Sequence, residues 1–89
     1  RLDPSYASAY YSRGLAYSAL GQYERAIQDF DEAIRLNPQA DAYVNRGWVY
    51  SALGQHERAI QDFDEAIRLN PQDAVAYSNR GVSYRFLGV

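Results

Sequence analysis

The chain has 89 residues, no cysteine and a formal net charge of −2. This length suits one small domain, and a hydrophobic content of 47% can supply its core. The lack of cysteine excludes disulfides and thiolate metal sites, and the slightly acidic balance argues against nucleic-acid binding, which needs clustered cations. No run of about 18 apolar residues predicts a membrane span. The first residues lack the apolar core of a signal peptide, and the localisation stays unknown.

One segment of the sequence occurs twice. Residues 17–39 and 50–72 are identical at 22 of 23 positions, and only Tyr23 and His56 differ. A period of 33 to 34 residues predicts a single domain, residues 1–89, in which equal units stack on one another. The predicted units are residues 5–38, residues 39–71 and a half unit at residues 72–89.

Each full unit is predicted to contain two amphipathic helices, because apolar residues recur in it at helical spacing. Glycines at the ends of the first helices suit a left-handed cap, and Asn-Pro pairs end the second helices. The first helices are predicted at residues 6–20, 40–53 and 74–87, and the second helices at residues 23–36 and 56–69.

A second set of glycines, Gly14, Gly47 and Gly81, lies inside the predicted first helices. Each costs about 1 kcal/mol relative to alanine in a helix interior. Because the three glycines occupy the same position in successive units, these costs indicate close helix packing at that position. We expect the small residues Ala26 and Ala59 to face these glycines across each helix pair.

These positions form a pattern that resembles the tetratricopeptide repeat. It reads Tyr-x2-Arg-Gly-x2-Tyr, then Ala-x3-Phe, then Pro; it is complete at residues 10–38 and 43–71 and begins again at Tyr77. The resemblance implies an all-α, right-handed α-solenoid of antiparallel helix pairs, with two full repeats and the first helix of a third. Two departures recur, since tyrosine replaces the usual tryptophan and arginine replaces the usual leucine.

The two ends of the chain resemble interior parts of the array. The opening letters RLDP match the unit tails RLNP, and the last predicted helix has no polar cap after it. These features favour a piece of a longer array. We therefore expect apolar end faces, including Tyr84 and Leu87, that stack end to end or exchange a helix between chains.

Catalytic signals are nearly absent from the sequence. His56 is the only histidine, and we interpret it as a half-exposed packing residue rather than a metal ligand or base. The duplicated Asp-Phe-Asp-Glu segment is interpreted as a solvated helix face, in which Asp31 pairs with Arg35 and Asp64 with Arg68. No glycine-rich phosphate loop is present. We expect no enzymatic activity, no cofactor and no metal.

The arginines before the interior glycines, Arg13, Arg46 and Arg80, fall on a partly buried face. A buried cation needs a partner, and the regularly repeated candidates are Asp29 and Asp62. Recognition of an anionic ligand is the alternative. Replacing Arg46 or Arg80 by leucine is expected to be tolerated, since apolar residues can replace buried ion pairs.

The first helices diverge between units, whereas the second helices are nearly constant. In proteins that this chain resembles, the first helices line a concave groove. Large apolar residues around Trp48 then form a stripe of the kind that marks a partner site, although packing between repeats is the alternative for Trp48. The predicted groove residues are Tyr11, Leu15, Ser18, Val44, Trp48, Ser51, Ser78, Val82 and Arg85.

The sequence therefore predicts a noncatalytic protein–protein interaction scaffold that binds a peptide segment in this groove. Chaperone-binding members of the family hold a peptide's C-terminal carboxylate with lysine and asparagine along the stripe. The groove residues predicted here are of other types, so that clamp is not expected. The alternative is a structural spacer or self-assembling array. Exposure of Trp48 separates the two, because a binding module needs this side chain accessible.

Overall fold

The computed structural model describes residues 4–89, which form five helices and no strand. The predicted all-α class is confirmed, and the bounds differ from expectation by at most two residues, at the start of the first helix. Of the RLDP segment, residues 1–3 lie outside the described residues. The helices are α1 (Pro4–Ala19), α2 (Tyr23–Leu36), α3 (Ala40–Ala52), α4 (His56–Leu69) and α5 (Ala74–Leu87).

The helix ends follow the predicted caps and breakers. Gly21, Gly54 and Gly88 have φ values of 75°, 80° and 80°, the left-handed conformation that glycine adopts without strain. The second helices end differently. At the end of α2, Asn37 is extended, with φ −159° and ψ 93°, because the residue before proline avoids the helical region. These turns reverse the chain and place successive helices side by side.

The helices pack in pairs, α1 with α2 and α3 with α4, and each pair packs on the next through α3 and α5. In the described part of the chain the buried apolar residues form two clusters, one around Phe30 and one around Phe63. Val49 of α3 joins the Phe30 cluster, and Ala76 of α5 joins the Phe63 cluster. Each core is thus completed by the next first helix, as expected for a solenoid. The unit boundaries at residues 38 and 71 stay a prediction.

Two of the interior glycines, Gly14 and Gly47, face phenylalanine rings, and the expected contact with Ala26 and Ala59 stays a prediction. A Cβ atom at Gly14 would lie 2.7 Å from Cε1 of Phe30, and one at Gly47 would lie 2.7 Å from Cε1 of Phe63. Real Cβ atoms do not approach that closely, so a side chain would displace the ring. Around Gly81, by contrast, no atom of residues 4–89 lies within 4 Å of the same position, apart from its chain neighbours and the backbone of its own helix.

Among residues 4–89, no helix combines the length and apolar character that crossing a membrane would require.

Candidate functional site

A shallow depression crosses the three first helices. Its volume is about 350 Å³, and no charged residue of the described chain lines it. Helices α1, α3 and α5 each contribute side chains, so the depression depends on the stacking of successive pairs. The lining residues are Leu15, Ser18, Ala19, Val44, Asn45, Trp48, Val75 and Asn79.

Trp48 is the largest side chain of the depression and is 46% exposed. Tyr23 of α2 packs against its indole edge, with ring centroids 6.1 Å apart and planes at 69°. Edge-to-face pairs of this kind stabilise the orientation of both rings. Trp48 is therefore both a packing residue between helix pairs and an accessible aromatic surface.

The structure brings four of the nine predicted groove residues into the depression: Leu15, Ser18, Val44 and Trp48. Val44 is only 9% exposed and belongs to the core cluster around Phe63, so it contributes more to packing than to the surface. Leu15 is 38% exposed and lies on the helix α1 side of the depression.

Tyr11 lies in a neighbouring cavity of about 330 Å³, between α1, α2 and the start of α3. Its hydroxyl accepts a hydrogen bond from Nδ2 of Asn45 at 3.0 Å, which connects this cavity to the depression. Burial, assisted by the charge of Asp41, raises the pKa of the Tyr11 hydroxyl. Tyr11 is thus a neutral group that orients Asn45.

The remaining four predicted residues do not line the depression. Ser51 is half-buried and forms a hydrogen bond with Nδ1 of His56 at 3.3 Å. Ser78, Val82 and Arg85 are exposed on α5 and are not among the residues that line the depression.

The prediction missed Asn45, Asn79, Val75 and Ala19. The prediction favoured large apolar side chains, and for that reason it did not include the two asparagines. A usable signal was present, because both asparagines lie two residues before an interior glycine. Asn45 also donates to the main-chain oxygen of Asp41 at 2.9 Å, and Asn79 is half-buried in the depression.

The single difference between the duplicated segments is explained by its neighbours. Tyr23 packs on Trp48, whereas His56 stacks on Phe86, with ring centroids 4.6 Å apart and planes at 5°. His56 is half-buried, which confirms the expected packing role. Each residue at this position thus matches an aromatic ring on the following first helix.

The arginines form a ladder of ion pairs. Arg13 donates to both carboxylate oxygens of Asp29, at 2.7 and 2.8 Å, and Arg46 does the same with Asp62, at 2.9 and 2.7 Å. The predicted pair between Arg46 and Asp62 is confirmed. Such bidentate contacts hold the two helices of a pair in one register.

A second carboxylate links neighbouring helix pairs, and this link corrects two expectations. Asp31 pairs with Arg46 rather than Arg35, and Asp64 is the partner of Arg80 in place of Asp29 or Asp62, both at 2.8 Å. Arg35 and Arg68 pair instead with the glutamates three residues before them, Glu32 and Glu65.

Two tyrosine rings lie on either side of Arg46, with centroids 5.5 Å away for Tyr43 and 5.8 Å for Tyr50. Burial lowers the pKa of this guanidinium, but the hydrogen bonds and charges of Asp62 and Asp31 outweigh it, and the pKa is raised. Burial raises the pKa of the Asp62 carboxyl despite the opposing effect of Arg46. The two departures from the repeat pattern are therefore coupled, because Tyr43, which replaces tryptophan, contacts the arginine that replaces leucine.

Within residues 4–89, no three histidine, cysteine, aspartate or glutamate side chains are grouped so that they could hold a metal ion. The most buried carboxylates, Asp29 and Asp62, are each held by an arginine.

Comparison with known families gives a match over nearly the whole chain. The tetratricopeptide repeat family matches residues 1–41, 11–74 and 44–85. The chain belongs to this family. The resemblance carried by the repeated pattern is thereby confirmed.

Solved structures of tetratricopeptide repeats share the fold. The second TPR of Spaghetti (RPAP3), bound to the HSP90 peptide SRMEEVD, is 30% identical, with a TM-score of 0.93 over 96% of this chain and 80% of that one. The crystal structure of MamA protein is 36% identical, with a TM-score of 0.92 over 98% of this chain and 48% of that one.

A curated relative is the tetratricopeptide repeat and J domain-containing co-chaperone DNJ1 of Cryptococcus neoformans, which is 40% identical over 37 residues. The match covers 42% of this chain and 7% of that protein. It therefore concerns the repeat alone.

Proposed function

We propose that this chain is a noncatalytic interaction module that binds a peptide segment in the depression across α1, α3 and α5. The observation that carries the proposal is the exposure of Trp48 in a depression built from three helices. Exposed aromatic side chains in apolar concavities are the usual anchors of protein interfaces. Relatives of the same family bind HSP90 and HSP70 peptides, which supports a peptide as the ligand class.

The lining of the depression favours an apolar, uncharged segment over an acidic one. The peptide SRMEEVD of the Spaghetti complex carries three acidic side chains. Here the lining residues are neutral, and the chain contains no lysine. Burying carboxylates against neutral groups costs free energy, and no cation in the lining offsets that cost. Asn45 and Asn79 can bond a peptide main chain, while Leu15, Trp48 and Val75 contact its apolar side chains.

The fluorescence of Trp48 reports binding in the test, since Trp48 is the only tryptophan in the chain. Peptides selected from a random display library are titrated into the protein while Trp48 emission and peptide anisotropy are followed. We expect apolar peptides to bind and to shift the emission, and SRMEEVD to bind at least tenfold more weakly, a difference of about 1.4 kcal/mol.

A matched pair of variants locates the site. Trp48→Ala removes the anchor, and Tyr77→Ala removes an aromatic ring of nearly equal exposure, 45%, on α5 outside the depression. Trp48→Ala is expected to cost about 2 kcal/mol of binding free energy. Equal losses in both variants, or none in Trp48→Ala, would place the ligand elsewhere.

The second candidate is a self-assembling array. Large apolar side chains are exposed on α5, where Phe86 is 70% and Tyr84 is 38% exposed. Light scattering across a concentration series separates the candidates. A binding module keeps one mass and needs a peptide to change Trp48 emission, whereas an array gains mass with concentration.

A further inference from the structure

The cavity beside Tyr11 lies where α1, the end of α2 and the start of α3 meet, and its lining is largely polar. Three alanines form its apolar part, and the other residues offer hydroxyl, amide and carboxylate oxygens. These polar residues are Ser8, Tyr11, Asn37, Gln39 and Asp41. A concave site with several acceptor oxygens and one negative charge has the chemistry that suits a cation.

Asp41 brings to this cavity a charge that the described chain does not neutralise. Its carboxylate forms no salt bridge with any arginine of residues 4–89, whereas the Asp-Phe-Asp-Glu segments of α2 and α4 pair with arginines throughout. Glu24 and Glu57 resemble Asp41 in lying in the first turn of a helix, but neither lines the cavity. The position in the cavity, rather than the helix dipole, therefore distinguishes Asp41.

The next junction between helix pairs is apolar at the equivalent positions. One unit further along the chain, Val44 stands in place of Tyr11, and Val75 stands in place of Asp41. Both valines line the depression around Trp48. The same position in the repeat is therefore polar and negatively charged at the first junction and apolar at the second.

The cavity and the depression lie along one stripe of α1 and α3. Residues three or four positions apart share a helix face, and on α1 two such residues line the cavity and the next two line the depression: Ser8, Tyr11, Leu15 and Ser18. Nδ2 of Asn45 bridges the two sites, because it donates to the Tyr11 hydroxyl at 3.0 Å and to the main-chain oxygen of Asp41 at 2.9 Å. Asp41 and Trp48 are two helical turns apart, about 10 Å, which an extended peptide spans with about three residues.

We infer that the cavity beside Asp41 binds a basic side chain of the same peptide that places an apolar side chain against Trp48. The inference rests on the proposed function for its apolar end and on the unpaired carboxylate for its charged end. The hydroxyls of Ser8 and Tyr11 can accept N–H groups that the carboxylate leaves free. Arginine suits the cavity better than lysine, because its planar group directs several donors at separate acceptors. The ligand is thus an extended peptide with a basic and an apolar residue about three positions apart.

The first probe is N-acetyl-arginine amide, titrated into the isotope-labelled chain while the backbone amide signals are followed by NMR. We expect saturable shifts around Asp41 and Asn37 at millimolar probe. N-acetyl-citrulline amide has nearly the same shape without the charge and should bind about tenfold more weakly. N-acetyl-lysine amide should fall between the two, because its ammonium group is a point charge.

A matched pair of variants locates the cation. Asp41→Asn removes the charge at an exposed position, so the fold should be retained, and arginine should then bind only as well as citrulline. Glu57→Gln is the control, since Glu57 is also exposed in the first turn of a helix but lies outside the cavity. Glu57→Gln and Trp48→Ala should both leave the affinity for N-acetyl-arginine amide unchanged.

A linked probe tests the connection between the cavity and the depression. The end-blocked peptides Arg-Gly-Gly-Leu and Leu-Gly-Gly-Arg cover both chain directions. One of them should bind about tenfold more tightly than N-acetyl-arginine amide, because the second contact is made within the same molecule. Either Trp48→Ala or Asp41→Asn should remove that gain.

The inference is wrong if citrulline binds as well as arginine, or if Glu57→Gln weakens arginine binding as much as Asp41→Asn does. It is also wrong if neither linked peptide gains affinity although other apolar peptides bind at Trp48. A chain that binds N-acetyl-arginine amide at Asp41 but no apolar peptide at Trp48 would overturn the proposed function and leave the cation subsite in place.

Discussion

Helices α3 and α5 carry the same sequence pattern in different surroundings. In α3, Gly47 is covered by Phe63 and Arg46 contacts two carboxylates, whereas in α5 Gly81 is open and Arg80 contacts one. The arginine and glycine are the same in both helices, so the helix packed against them accounts for these differences in contact. The comparison shows which features of the repeat stabilise a helix by themselves and which do so only in a pair.

The largest expected difference concerns the two arginines. Arg46→Leu leaves Asp62, 4% exposed, without its cation, and should cost about 3 kcal/mol of unfolding free energy, as unpaired buried charges do. Arg80→Leu leaves only Asp64, whose side chain is 51% exposed, and should cost under about 1 kcal/mol, as surface pairs do. Denaturant unfolding followed by circular dichroism measures both.

This revises the expectation that leucine is tolerated at both positions, because the burial of Asp62 was not visible in the sequence. The control is the double variant Arg46→Leu with Asp62→Leu, which removes both charges and should recover most of the loss. A double variant as unstable as Arg46→Leu alone would mean that the arginine acts through packing against Tyr43 and Tyr50.

The second difference concerns the two glycines. Gly47→Ala forces the Phe63 ring to move and should cost about 1 to 2 kcal/mol, the overpacking loss being larger than the gain in helix propensity. Gly81→Ala meets open space and should gain about 1 kcal/mol from propensity alone. Thermal and denaturant unfolding should give opposite signs for the two variants. The same sign at both positions would mean that the Phe63 contact does not constrain Gly47.

Local signals in the sequence were sufficient to predict the fold. Gly21 and Gly54 end helices through their own conformation, and the Asn-Pro pairs act on the residue before proline, so none of them depends on distant neighbours. The pairing of Arg46 with Asp62 also followed from the repeat. Asp64 was a missed partner of Arg80, because that contact depends on how one helix pair is rotated on the next.

The site was less predictable than the fold for the same reason. Helical spacing predicted Leu15 and Trp48 as groove residues, and both line the depression. Their role in binding stays a prediction. Helical spacing could not show that Val44 is mostly buried in the core, or that its neighbour Asn45 also lines the depression. The angle at which α3 packs on α4 decides that difference, and no single helix encodes it.

A smaller effect is expected at Ser83 of α5. Its hydroxyl is fully buried and has no hydrogen-bond partner among residues 4–89, whereas the equivalent residue of α3 is the buried Val49. Ser83→Ala should stabilise the chain by about 1 kcal/mol, because an unsatisfied buried polar group is removed. The control Ser78→Ala, at an exposed position of the same helix, should change stability by less than about 0.5 kcal/mol. Equal effects in both variants would attribute the gain to helix propensity instead.

The smallest effects concern two carboxylates one turn apart in α4. Burial raises the pKa of Asp62 above its usual 3.8, whereas the hydrogen bond from Arg68 lowers the pKa of Glu65 below its usual 4.5. The lowered pKa means that Glu65 contributes stability above the unfolded value of 4.5, and that this contribution is lost as the pH falls through the folded value. The raised pKa of Asp62 has the opposite sign: its contribution becomes more favourable as the pH falls through the folded value. Carboxyl carbon NMR titration of the wild type should therefore show Asp62 titrating above 3.8 and Glu65 titrating below 4.5. Arg68→Gln should move the Glu65 midpoint upward and leave Asp62 in place. An Asp62 midpoint below 3.8 in the wild type would show that Arg46 outweighs burial at this position.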